Sequence, residues 1–77
     1  MTTKFKKYDL VQFCEDSQNY FRDFLKHPDL AESKGVVLEC YWEDRSRWAG
    51  EFSTYIYKVE LTTGEIHEIA EAHLEGS

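Results

Sequence analysis

In separate stretches between Gly35 and Ala70 apolar and polar side chains alternate with a period of two, and no other feature restricts the fold of this chain as strongly. Val36-Val37-Leu38-Glu39-Cys40-Tyr41-Trp42 is rich in β-branched and aromatic residues, which suit a pleated, half-buried surface. The alternation predicts a strand over residues 36–43 with Val36, Leu38, Cys40 and Trp42 on the core face and Val37, Glu39, Tyr41 and Glu43 opposite. Residues 52–62 repeat the pattern, setting Tyr55, Tyr57, Val59 and Leu61 against Ile56, Lys58, Glu60 and Thr62. Thr62-Thr63-Gly64-Glu65 then supplies a glycine where a tight hairpin needs positive φ, and residues 65–70 return as a third strand. The expected core of the second half is a three-stranded antiparallel meander.

Such a meander cannot hide its own apolar face, so the first half must cover it. Leu10, Phe13, Cys14, Phe21, Phe24 and Leu25 recur at three- and four-residue steps, which predicts an amphipathic helix over residues 9–26. Asp9 is the expected N-cap, with Gln12 three residues on and Tyr8 packing against Phe13. Lys26 and His27 suit the C-terminal end of the dipole, and Pro28 disfavours helix at the residue before it. A strand over residues 8–13 is the competing reading, because that stretch also alternates. Residues 71–75 are too few for a helix that buries a face and read as one turn pinned by Leu74. The fold class is therefore α+β, in a single domain spanning residues 1–77, since a second core needs roughly 50 residues more.

Gly35-Val36-Val37-Leu38-Glu39, Tyr57-Lys58-Val59-Glu60-Leu61, Thr63-Gly64-Glu65-Ile66 and the closing Ala72-His73-Leu74-Glu75 together resemble the small barrels of the Src-homology-3, KOW and Tudor shape, especially the short versions of tailed bacteriophages. The resemblance covers the second half of the chain. It implies a first strand supplied by Asp9-Leu10-Val11, and it departs from the pattern at Tyr8, where glycine is usual. Further departures are the long insertion before Gly35 and the scant sequence after Leu74 for a fifth strand. The barrel implied is incomplete.

Fifteen acidic against nine basic residues leave a net charge of −6, which opposes direct binding of nucleic acid and favours a protein partner with a basic surface. Apolar runs of two or three residues are far short of the roughly 20 needed to span a bilayer, and Met1-Thr2-Thr3-Lys4 leads into no signal-like stretch, so a cytoplasmic location without membrane contact is expected. Cys14 and Cys40 are then expected as buried, reduced thiols. His27, His67 and His73 fit no zinc-ligand spacing and the four glycines are isolated, so no metal, cofactor or catalytic constellation is expected.

Two surfaces stand out instead. The connection Glu43-Asp44-Arg45-Ser46-Arg47-Trp48-Ala49-Gly50-Glu51-Phe52 is longer than a hairpin needs, and Arg45, Arg47 and Trp48 are residue types that anchor interfaces. The competing expectation is that Trp48 caps the sheet and the arginines pair with Glu43, Asp44 or Glu51. The second surface is a sheet face with Val37, Tyr41 and Ile56 flanked by Glu39, Glu43 and Glu60, an apolar contact ringed by acids. An aromatic cage would need convergence of Tyr41, Trp42, Tyr55 and Tyr57, whereas alternation sends the last three into the core. The expected function is a non-catalytic protein-binding module, of the accessory or inhibitor type, that occupies a surface of a host protein. One alternative is an acidic nucleic-acid mimic using Glu15, Asp16, Asp23, Glu60, Glu65, Glu68, Glu71 and Glu75 as phosphate stand-ins. The other is a structural component of a larger assembly.

Overall fold

The computed structural model describes residues 3–23, 25, 31–47 and 52–77. Among these residues the structure is α+β, with five strands and one helix, in the order β1 (Leu10–Phe13), α1 (Glu15–Arg22), β2 (Lys34–Glu43), β3 (Thr54–Leu61), β4 (Ile66–Ala70), a 3-10 turn (Glu71–His73) and β5 (Leu74–Gly76). The strands form one antiparallel sheet in the order β4-β3-β2-β1-β5. The sheet is not closed, so β4 and β5 are its two edges. Three strands were expected, and the two extra ones extend the meander beyond β2, with β1 beside it and β5 outside β1.

The helix expected over residues 9–26 is replaced by a strand followed by a shorter helix. Val11 and Phe13 are buried while Leu10 is exposed and Gln12 intermediate, so period two wins over the three- and four-residue spacing. Pairing with both β2 and β5 gives these four residues more than a helical turn offers them. Asp9 does not cap a helix: its carboxylate accepts the Lys6 N–H at 2.9 Å, inside a turn where Tyr8 takes a φ of 73°. Cys14 is the actual N-cap residue, in extended conformation and without a side-chain cap bond. α1 then lays Phe21 over Phe13, with ring centroids 4.7 Å apart. The expected stop at Lys26, His27 and Pro28 lies outside the described residues.

The meander forms with small changes of boundary, and Gly64 turns the β3–β4 hairpin at a φ of 87°. The face assignment in β2 needs correction. A bulge between Val37 and Glu39 shifts the register, so Gly35 and Val37 face the core before it, and Cys40 and Trp42 share the face of Tyr57 and Tyr55 after it. Glycine suits position 35 because a Cβ there would press on Val59 Cγ1 and force it to shift. The main core cluster gathers Phe5, Val11, Phe13, Val37, Tyr57, Val59, Leu61, Ile69 and Leu74, with Leu25 and Ala31 joining from the helical side. Where one turn was expected at the end, the 3-10 turn brings the chain round so that Leu74 enters this core and β5 pairs with β1.

The segment before β1 is fastened across the core. Phe5 is buried edge-on against Tyr57, with ring centroids 5.4 Å apart. The Tyr57 hydroxyl donates to Glu71 Oε2 at 2.6 Å and accepts the N–H groups of Lys4 and Phe5 at 3.1 and 3.3 Å. Burial, and next the Glu71 carboxylate, push the phenol pKa above its ordinary value.

Candidate functional site

Residues in register on neighbouring strands share a face, so the ladders show which side chains look outward. On the outer side of the sheet three rows run across the strands. Leu10, Val36, Glu60 and Ile66 form the first, from β1 through β4. Glu39, Lys58 and Glu68 form the second, and Tyr41, Ile56 and Ala70 the third. Leu10 and Ile66 are 52% and 49% exposed, large for aliphatic side chains on a protein this small. Between them Glu60 is exposed, and its carboxylate has no hydrogen-bond or ion-pair partner among the described residues.

The structure thus brings Tyr41, Glu39, Glu43 and Glu60 to one face, as the alternation implied. Val37 does not belong there: the bulge leaves it on the core side, fully buried. Ile56 is on the face but only 3% exposed, so the apolar contact comes from Leu10, Val36, Ile66 and Tyr41 instead. Leu10 escaped the sequence analysis because it was counted in a helical stripe. Ile66 alternates with buried Ile69 across an odd step, and that spacing was the available signal.

Within the second row Lys58 Nζ lies 3.5 Å from Glu39 Oε2, and the signs alternate strand by strand: negative, positive, negative. The Tyr41 hydroxyl donates to Glu68 Oε1 at 3.2 Å. Partial burial and then the Glu68 charge hold this phenol above its ordinary pKa.

The β2–β3 connection makes the second surface. Arg45 Nε donates to Glu43 Oε2 at 2.7 Å, so this arginine is held by the acid that ends β2, one of the pairings expected above. Asp44 accepts the Ser46 N–H at 2.9 Å and the Ser53 hydroxyl at 3.0 Å. Those hydrogen bonds to its charged form keep the Asp44 carboxyl below its ordinary pKa. Arg47 is exposed, and Trp48 lies outside the described residues. Phe52, not singled out before, is 85% exposed at the rim of a hollow of about 240 Å³. Arg45, Thr54, Ala70 and His73 are among its walls. The His73 ring is fixed there by the Ser17 hydroxyl, 2.8 Å from Nδ1, and by Tyr20 and Phe21.

Convergence of aromatics is limited. Tyr57 fills the core and Tyr55 packs beside it, but Trp42 is 45% exposed and meets Tyr55 edge-on at 5.0 Å, which corrects the expectation that it is core. Both cysteines are free thiols, and both are half-buried rather than buried; desolvation raises the Cys40 pKa. Among the described residues no three His, Cys, Asp or Glu side chains are grouped to hold a metal ion. No described helix is long and apolar enough to cross a membrane.

The eight carboxylates of the mimic reading are unequally available. Glu65 binds His67 at 2.7 Å, Glu68 accepts from Tyr41, Glu71 from Tyr57, and Glu75 from Gln12 at 2.9 Å. Glu15, Asp16 and Asp23 lie exposed on or beside α1, and Glu60 on the sheet. Comparison with known protein families, with curated proteins and with solved structures finds no match.

Proposed function

We propose that this chain is a non-catalytic protein-binding module, of the accessory or inhibitor type, that sets its acidic outer sheet face against the basic surface of a protein partner. The observation behind the reading is Glu60, an exposed carboxylate without a partner among the described residues, set between the exposed side chains of Leu10 and Ile66. Apolar area supplies affinity while an acid in its midst selects a cation and rejects other acids. Glu39 and Glu68 in the neighbouring row extend the negative ground beyond one residue. An incomplete Src-homology-3-like barrel of the small bacteriophage type is part of the same proposal. The five-strand order and the 3-10 turn before the last strand support it.

The test is capture of a partner by immobilised protein, identified by mass spectrometry, followed by affinity measurement against variants of equal net charge. Glu60→Lys and Glu15→Lys change the total charge identically, but only the first lies on the face. Selective loss with Glu60→Lys, at least tenfold, together with weakening by Ile66→Ser, is the expected result. Equal affinities for the two lysine variants, with both folded, would refute the assignment of the face.

A further inference from the structure

β4 (Ile66–Ala70) is an edge strand, and among the described residues its ladder is with β3 alone. Among the described residues no further hydrogen bond engages its backbone. An open edge of five residues offers unpaired N–H and C=O groups as a template for another strand. Of the devices that blunt natural edges, proline and a bulge are absent from Ile66-His67-Glu68-Ile69-Ala70, and its one charged side chain is Glu68, which repels another acidic strand but not a basic one. β5, the other edge, has only three residues.

The charges show what such a strand would carry. Across the outer face Glu39, Lys58 and Glu68 alternate in sign from β2 to β4, so a cation is the member that continues the row beyond Glu68. A second copy of this chain would not provide it. Antiparallel pairing of two β4 strands about a twofold at Glu68 sets the two Glu68 carboxylates directly opposite each other on one face, in two molecules that each bear −6. Two residues to either side, the added strand would meet the exposed Ile66 and the small Ala70, next to Ile56 and Tyr41 in its row.

We infer that β4 accepts an extended segment of the protein partner as a sixth, antiparallel strand, with Lys or Arg opposite Glu68. The segment reads, from its N-terminal end, aromatic-x-(Lys/Arg)-x-aliphatic, the aromatic lying over Ala70 and the aliphatic residue beside Ile66. This rests on the proposed binding of a basic partner and adds the manner of it: backbone pairing at one edge, with one charge for register.

The probe is the peptide acetyl-Thr-Tyr-Thr-Lys-Thr-Val-Thr-amide, titrated into the ¹⁵N-labelled protein and followed by amide shifts and amide hydrogen exchange. The expected result is shifts concentrated in residues 66–70, slowed exchange there, and binding at least tenfold weaker when the peptide lysine is replaced by glutamate. Glu68→Lys, an exposed substitution, reverses that preference. N-methylation of the peptide amides that face β4 abolishes binding. An N-methylated peptide that binds as well as its parent overturns strand addition but leaves the basic-partner reading standing. Equal binding of the lysine and glutamate peptides overturns both, and no shift in β4 at millimolar peptide overturns the strand site.

Discussion

Replacing Tyr57 by phenylalanine removes one oxygen atom from the most connected point of the core. That hydroxyl is fully buried, donates to the Glu71 carboxylate at 2.6 Å and receives the backbone N–H groups of Lys4 and Phe5. Lys4 retains Glu71 Oε2 at 3.3 Å, but the buried Phe5 N–H is left without its acceptor. A hydrogen bond to a charged group contributes about 1.5–3 kcal/mol, and an orphaned buried donor costs about 1–3 kcal/mol. These overlap, and about 2–3 kcal/mol is the expected loss, against a total of about 4–12 kcal/mol for a domain of this size. With about 4–8 °C per kcal/mol for a chain this short, Tm falls by about 10–20 °C. Urea denaturation gives the free energy, and hydrogen exchange at Lys4 and Phe5 gives the location, because the segment before β1 is released ahead of the sheet. The Glu71→Gln variant keeps an acceptor and loses less, and the double variant is non-additive by about 1 kcal/mol or more, as for residues in one network. A loss under about 0.5 kcal/mol, or unchanged exchange at Phe5, would refute the claim that this hydroxyl fastens the segment.

Four other outcomes follow from the same packing. Phe13→Ala costs about 3–5 kcal/mol in urea unfolding, while Leu10→Ala changes stability by less than about 0.5 kcal/mol; equal losses would restore the helical stripe that β1 displaced. Gly35→Ala forces a methyl group onto Val59 and costs about 1–3 kcal/mol, read as a lower denaturation midpoint at unchanged slope. The Cys40 thiol, with its raised pKa and partial burial, is alkylated at pH 8 more slowly than a free cysteine in a Cys14→Ser background, and the difference vanishes in denaturant. The Asp44 turn is stabilised while the carboxylate is charged. Because its folded pKa is depressed, the contribution is complete above the unfolded value of 3.8 and is lost as pH falls through the lower folded value, which the Ser46 amide shift follows.

β2, β3 and β4 were legible because each has enough residues for alternation to be counted and because Gly64 marks their one tight turn. β1 was legible only as the competing reading of residues 8–13, since four residues offer two alternations, and Leu10, Phe13 and Cys14 happen also to fit a helical face. Its strand conformation depends on β2 and β5, and neither partner is local. Val37 was placed on the wrong face for a different reason: one extra residue in β2 inverts the phase, and nothing in Val37-Leu38-Glu39 announces it. The acidic members of the outer face, Glu39, Glu43 and Glu60, were readable from strand parity alone. Leu10 and Ile66 needed the strand order, which brings residues 56 positions apart into one row.

β1 lies between β2, some twenty residues downstream, and β5, more than sixty residues downstream. During synthesis its β5-facing backbone groups therefore wait for almost the whole of this sequence to emerge, and a vectorial order of assembly is unavailable to the sheet. Closure of that long loop is an entropic toll on the folding rate rather than on the final stability. Until it closes, Val11 and Phe13 lack the cover of Leu74, and the nascent chain is open to chaperones or to mispairing at two side chains that later lie fully inside the core.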